Sequence, residues 1–283
     1  MNDILLSILE FISKIPVTLI LTSIFLLGMY VFWRGCMETE KDRSSTFDVY
    51  VLSLIFGISA GRLGYILSNI EEFTGFIWYW SPYEKYADTV YLFRLLPWRF
   101  LRIWDGGIAI PAFFVGFILF ATIFVLFVKK WRWRQLFFVV FFSGILMLSS
   151  SLLYVSAISS DLSILLFSAI LFASMAVFYI SSYVITRLKV KWGVRKKIVG
   201  YIGSILVWIV SAYISYKFLV EDNSNVEKVS AYVLIAWVVI STILFVIDMR
   251  KRKAKIEKVS SVQSVSLPEV NQPIRLPVDE KKK

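Results

Sequence analysis

Residues 57–69 place a charged side chain inside a segment that is otherwise apolar and long enough to cross a bilayer. Because successive residues of a helix are turned by about 100°, Arg62, Tyr65 and Asn69 lie on one face. A charge at membrane depth costs several kcal/mol unless something solvates or pairs it. This face is therefore the first candidate for binding chemistry, and a guanidinium can hold a phosphate through two parallel hydrogen bonds.

A second face of the same segment carries only small residues. Gly57, Gly61, Gly64 and Ser68 recur at helical spacing, about 110° around the axis from the polar face. Small residues at this spacing let another helix approach closely within a membrane. We therefore expect this face to pack on a neighbouring helix, while the polar face points into a cavity or towards a lipid headgroup.

A simpler interpretation of Arg62 is that its guanidinium reaches the nearer membrane surface along its own aliphatic stem. A rise of about 1.5 Å per residue places Arg62 about 22 Å from Phe47, in the outer half of the membrane core. The sequence leaves both interpretations open.

Composition identifies an integral membrane protein. Hydrophobic residues make up 58% of the 283 residues, against roughly 45–50% in soluble domains. The net charge of +11 falls mostly in short clusters between apolar runs, which is a signal of membrane topology, so we expect no nucleic-acid partner. The absence of histidine and the single cysteine exclude a histidine base, imidazole ligands and a cysteine metal cluster. We expect no metal and no cofactor.

Seven apolar segments have close to the ~20 residues that a spanning helix needs. We predict an all-α integral membrane protein whose membrane domain, residues 1–248, has seven transmembrane helices. A short interfacial helix at 4–12 precedes the first of them. A basic, disordered cytoplasmic tail is predicted at 249–283. The predicted spans are 15–33, 47–68, 107–128, 136–158, 162–185, 198–218 and 229–247.

Cationic residues alternate between the predicted loops. The first, third and fifth loops and the start of the tail are rich in lysine and arginine, whereas 159–161 has neither and 221–228 is mostly acidic. Cytoplasmic loops carry this excess of positive charge. The sequence therefore predicts an external N-terminus and a cytoplasmic C-terminus.

Residues 70–106, called the arm below, form the one long external segment of this topology. Tryptophan and tyrosine prefer the headgroup level, so we expect the arm to lie along the outer membrane surface in short helices. It serves either as an aromatic belt or as a surface that captures a lipid-embedded partner, and the two can coexist. Arg94, Arg99 and Arg102 either add charge to a binding site or contact headgroups at the bilayer edge. The aromatic residues are Phe73, Phe76, Trp78, Tyr79, Trp80, Tyr83, Tyr86, Tyr91, Phe93, Trp98, Phe100 and Trp104.

Two motifs resemble the prolipoprotein diacylglyceryl transferase family. Gly-Arg-Leu-Gly-Tyr at 61–65 is similar to a run in the second span of that family, and Trp-Asp-Gly-Gly at 104–107 stands where the family has a Trp-acid-Gly-Gly turn entering the third span. Lys-Phe-Leu-Val-Glu at 217–221 is a weaker counterpart of an Arg-Phe-x-x-Glu motif. The resemblance covers about residues 47–127 and is thin elsewhere.

The resemblance implies transfer of diacylglycerol from phosphatidylglycerol to the lipobox cysteine of a bacterial prelipoprotein, in the inner (plasma) membrane. The implied partners are phosphatidylglycerol or another anionic phospholipid, the prelipoprotein signal peptide and the membrane itself. From the motifs and the polar face together, the predicted headgroup-binding residues are Arg62, Tyr65, Asn69, Trp104, Gly106, Gly107, Lys217 and Glu221.

Two features of the family are missing. The family's His-Gly-Gly is replaced by Pro-Ala-Phe at 111–113, and residues 143–152 contain neither the arginine nor the asparagine of its fourth-span signature. Asp105 is the remaining catalytic candidate, with Glu71 and Glu72 as alternatives. A carboxylate with a pKa of about 4 is a weak base for a thiol, and an acid before a helix is suited to capping it. We therefore predict a diacylglyceryl transferase with reduced or lost catalysis, or alternatively a non-catalytic protein that binds phospholipid or prelipoprotein.

Overall fold

The structure of this chain, a computed structural model, describes residues 14–37, 39, 41–102, 107–187, 192–220 and 224–265. Its elements follow one another along the chain as a series of long helices, interrupted once by a small hairpin. In order they are α1 (Val17–Met37), α2 (Arg43–Ser68), α3 (Ile70–Thr74), β1 (Tyr83–Tyr86), β2 (Thr89–Leu92), a 3₁₀ turn (Trp98–Leu101), α4 (Ile110–Ile123) with a π-helical turn (Phe124–Val128), α5 (Trp133–Ser159), α6 (Leu162–Arg187), α7 (Trp192–Val220) and α8 (Asn225–Val265).

The seven predicted spans are confirmed as helices. In the described part of the chain, seven helices are long and apolar enough to cross a membrane, and each coincides with one predicted segment to within a few residues at most ends. The largest difference is at α8, which continues to Val265, past the predicted end of the membrane domain at 248. The interfacial helix predicted at 4–12 and the tail after 265 lie outside the described residues.

Helix α5 is the centre of the bundle. It packs against α1, α4, α6 and α8, and every residue from Val140 to Ser149 is buried, as expected for a helix that is apolar on all sides. The ring of Phe141 stacks on Trp237 of α8 at 5.9 Å. The indole N–H of Trp237 donates to Thr122 Oγ1 in α4 at 2.8 Å. One tryptophan thus joins three helices and has its polar group satisfied.

The small-residue face of α2 packs on α4, as its spacing predicted. A Cβ atom added at Gly61 would lie 2.6 Å from Ile108 Cγ2, and one at Gly64 would lie 2.7 Å from Ala112 Cβ. The amide of Ala109 donates to the carbonyl of Gly61 at 2.9 Å, so the two backbones meet directly. This contact fixes the C-terminal part of α2 against the beginning of α4 and thereby positions Arg62.

We expect Gly61→Ala to destabilise the bundle by about 1–3 kcal/mol, the usual cost of overpacking. Besides Ile108, the added methyl group would meet Phe113 Cβ at 2.9 Å. Gly200→Ala is the matched control, because Gly200 is also helical and nothing lies within 4 Å of a Cβ added there. Thermal unfolding in detergent measures both. Equal losses at the two positions, or no loss at Gly61, would contradict the packing described.

The arm differs from its prediction. Short helices are correct for α3 and the 3₁₀ turn but wrong for residues 83–92, which form the antiparallel hairpin β1–β2 with Tyr83 opposite Leu92. The valine, threonine and tyrosines of these strands favour extended structure. The two-residue turn contains Ala87 at φ +52, a backbone conformation that glycine or asparagine usually occupies in such turns. That signal is missing from the sequence.

Candidate lipid-binding site

Arg62 is only 7% exposed, and the returning end of the arm covers its guanidinium. Nε donates to the carbonyl of Phe100 at 3.0 Å, and Nη2 donates to the carbonyl of Arg99 at 3.1 Å. Nη1 donates to the carbonyl of Gly107 at 3.1 Å. Hydrogen bonds from a charged donor are stronger than neutral ones. These three bonds, called the Arg62 clasp below, hold the arm on α2.

The Arg62 side chain extends towards the end of α2 that carries the arm. Its guanidinium carbon lies 5.4 Å from the ring centroid of Tyr65 and 5.6 Å from that of Phe73, and both rings belong to residues nearer the arm. This direction is the one that snorkelling predicts. The side chain does not end in open solvent, however, because the arm buries it there. Arg62 is thus a charge held by protein near the arm end of a helix of spanning length and apolarity.

Gly107 is built into the same site. Its φ of +86 lies in the left-handed region, which glycine adopts without steric cost. A Cβ atom at this position would lie 2.5 Å from Tyr65 Cε1 and 2.7 Å from Arg62 Nη1. The structure therefore brings together three of the predicted residues, Arg62, Tyr65 and Gly107, from two separate segments of the chain.

Tyr65 connects the site to a carboxylate. Its hydroxyl donates to Glu72 Oε2 in α3 at 3.1 Å, so Glu72 is close to the site, and both Glu71 and Glu72 are exposed on this short helix. Asn69, predicted as a headgroup contact, lies at the C-terminal end of α2. Its backbone amide and its side-chain Nδ2 both donate to the carbonyl of Tyr65, each at 3.0 Å.

A groove with a volume of about 440 Å³ runs between α2 and the 3₁₀ turn, and Arg62 forms part of its wall. The groove follows α2 from Ile58 to Ile66, which is about 12 Å at about 1.5 Å per residue. This length is most of the thickness of one leaflet, because the whole membrane core is about 30 Å thick. Leu63 and Leu101, at its mouth, are each 58% exposed. The shape and the apolar wall suit an acyl chain. The lining residues are Ile58, Ser59, Arg62, Leu63, Ile66, Phe100 and Leu101.

A second guanidinium lies near the same aromatic ring as that of Arg62. Arg99 stacks on Phe76 at 3.6 Å and lies 5.8 Å from the ring centroid of Phe73, the ring that Arg62 also contacts. Two positive groups against one ring favour an anion at this point. From the sequence alone, Arg99 was one of several cations in the arm, and nothing distinguished Phe73 from the other aromatic residues of the arm.

Four of the predicted residues, Trp104, Asp105, Gly106 and Glu221, lie outside the described residues. Lys217 is half-buried near the end of α7. Hydrogen bonds with Ser163 hold the pKa of Asp161 below its ordinary value, and the charge of Lys217 adds to this shift. Lys217 therefore lies near the connection between α5 and α6.

The part of α5 that corresponds to the family's fourth-span signature is packed core. Ser143 and Ser149 are fully buried, and each donates to a carbonyl three residues earlier, at 3.0 Å. Hydroxyl groups inside helices commonly bond their own backbone in this way. These serines thus complete α5 internally.

No family model, no curated protein and no solved structure matches this chain. What the described residues do establish is a class, a multi-pass membrane protein with seven helices of spanning length and apolarity. Within the same residues, no group of three or more metal-ligating side chains is placed to hold an ion.

Proposed function

We propose that this protein binds one anionic phospholipid beside Arg62. The acyl chain lies in the groove between α2 and the 3₁₀ turn, and the headgroup meets the guanidinium groups of Arg62 and Arg99. The observation that carries this proposal is a buried arginine in the wall of a mostly apolar groove that opens at the surface of a helix of spanning length. Phosphatidylglycerol is the species that the motif resemblance favours.

The two parts of the lipid have different roles in this binding. An acyl chain that moves from the bilayer into the groove exchanges one apolar surrounding for another, so hydrophobic burial contributes little net attraction. Charge-assisted hydrogen bonds to the phosphate are stronger and directional. The groove therefore sets the position of the lipid, and the arginines set the preference for an anionic headgroup.

Leu63→Trp is expected to fill the mouth of the groove and reduce retained anionic phospholipid about tenfold, equivalent to about 1.4 kcal/mol. Leu67→Trp is the matched control, because Leu67 lies one turn further along α2, is 57% exposed against 58% for Leu63, and lies outside the groove lining. Native mass spectrometry of the purified protein measures the retained lipid. Equal retention in the two variants would refute the groove as the binding site.

Diacylglyceryl transfer is a second candidate function. It is favoured by the convergence of the two motif segments, in which the Gly107 carbonyl accepts a hydrogen bond from Arg62. In the reaction that the resemblance implies, a prelipoprotein thiol attacks glycerol C3 of phosphatidylglycerol, the carbon–oxygen bond to phosphate breaks and glycerol phosphate leaves. The thiol proton passes to a base, for which Glu72 is the nearest described carboxylate and Asp105 the sequence candidate. This function places the arm on the outer side of a bacterial inner membrane, with the N-terminus outside.

Expression in bacteria depleted of their own transferase separates the two functions. Lipid modification of a prelipoprotein that is lost in Arg62→Ala would support transfer at this site. Absence of modification by a chain that still retains phosphatidylglycerol would leave binding as the function. Modification that survives Arg62→Ala would refute the site.

A further inference from the structure

The hairpin β1–β2 has two unlike faces. Because successive side chains of a strand point to opposite sides of the sheet, each cross-strand pair places both its members on one face. The face called apolar here carries Tyr83, Lys85, Val90 and Leu92, and the face called polar carries Glu84, Tyr86, Thr89 and Tyr91.

The apolar face is openly exposed. Tyr83 is 55%, Val90 57% and Leu92 55% exposed. The polar face is also exposed, with Tyr86 at 59% and Tyr91 at 43%, but its two rings contact each other at 6.1 Å and the guanidinium of Arg94 lies over Tyr91 at 5.4 Å. An antiparallel sheet normally turns its apolar side chains away from water. The exposed apolar face therefore needs a partner that is itself apolar.

The position of the hairpin indicates what that partner is. The 3₁₀ turn lies against the spanning part of α2, where it forms one wall of the groove. The segments that flank the hairpin meet beside this turn. Trp98 Nε1, in the turn, donates to the carbonyl of Trp80 at 3.0 Å, and the amide of Tyr79 donates to the carbonyl of Leu96, just before the turn, at 2.7 Å. The hairpin is thus held close to a turn that lies against a helix of spanning length and apolarity.

We infer that the apolar face of β1–β2 inserts into the boundary between headgroups and acyl chains of the leaflet on the arm side. Tyr83, Val90 and Leu92 contact acyl chains, and Lys85 extends its stem to bring the ammonium to lipid phosphates. Trp80, which is 92% exposed, belongs to the residue type that prefers this level. This contact goes beyond the groove site, because it is made with bulk lipid and does not require a bound phospholipid.

Nitroxide labels on the two faces test the inference. Val90→Cys and Thr89→Cys are neighbouring exposed positions on opposite faces. Both are made with Cys36→Ser, which removes the one native thiol. The full chain is reconstituted in vesicles of phosphatidylethanolamine and phosphatidylglycerol, and collision with oxygen, which concentrates in lipid, is compared with collision with a water-soluble nickel complex. We expect a several-fold higher oxygen-to-nickel ratio at position 90 than at 89.

Equal ratios at the two positions, or a higher ratio at 89, would overturn the inference. The same samples are assayed for retained groove lipid, which reports on the proposed function separately. Lipid retention with equal label ratios refutes only the insertion of the hairpin. Unequal ratios without retained lipid support the insertion and refute the groove site.

Discussion

Arg62→Ala is expected to release the arm from α2. The substitution removes three charge-assisted hydrogen bonds to backbone carbonyls, and bonds of this kind contribute roughly 1.5–3 kcal/mol each. Hydrogen exchange followed by mass spectrometry measures the effect. Exchange in the arm should accelerate at least tenfold, while that of the buried α5 amides stays slow.

Two further variants distinguish the Arg62 clasp from charge alone. Arg62→Lys keeps the positive charge but cannot reproduce the planar fork of a guanidinium, so it should give an intermediate acceleration. Arg94→Ala removes an arm arginine that stacks on Tyr91 and should leave the exchange of the 3₁₀ turn unchanged. An unaltered arm in Arg62→Ala would show that the clasp does not hold it.

Gly107→Ala is the second large effect, because it combines two costs. A left-handed φ costs an L-residue about 1–2 kcal/mol, and overpacking costs about 1–3 kcal/mol. The new methyl group would lie 2.5 Å from the Tyr65 ring and 2.7 Å from Arg62 Nη1. We therefore expect a loss of about 2–5 kcal/mol in stability and a displaced guanidinium, with loss of the anionic phospholipid that we propose binds there.

The control for this substitution is Gly75→Ala. Gly75 also belongs to the arm, but its φ is −78 and nothing lies within 4 Å of a Cβ added there. Its stability and retained lipid, measured by thermal unfolding and native mass spectrometry, should match the unsubstituted chain. A Gly107→Ala variant as stable and as lipid-loaded as Gly75→Ala would contradict the geometry of the site.

The helical bundle could be predicted from the sequence because the features that determine it, the length and the spacing of apolar and small residues, are local. The thickness of the bilayer fixes the length of each apolar segment, so the spans could be predicted within a few residues at most ends. The glycine spacing of α2 predicted a closely packed face, and the backbone contact between Gly61 and Ala109 confirms it. The prediction that Arg62 lies near Tyr65 also needed only the helical repeat.

The partners of Arg62 were not accessible in this way. In the described residues, its guanidinium donates to the backbone carbonyls of Arg99, Phe100 and Gly107, between 37 and 45 residues away along the chain. Because every residue has a backbone carbonyl, the sequence does not indicate which of them will accept these bonds. Asn69 shared the predicted face of α2, and its side-chain amide donates to the carbonyl of Tyr65 within its own helix end. The hairpin was missed because Ala87 occupies a turn position that usually belongs to glycine or asparagine.

The most direct test of the account is where a bound phosphatidylglycerol lies. Phosphatidylglycerol with a photoactivatable group in its acyl chain is reconstituted with the full chain, irradiated, and its attachment sites are mapped by mass spectrometry. We expect attachment to concentrate on Leu63, Ile66 and Leu101, and to be lost in Leu63→Trp but not in Leu67→Trp. Attachment spread evenly over the exposed faces of the spans, with Leu67 as frequent as Leu63, would contradict it.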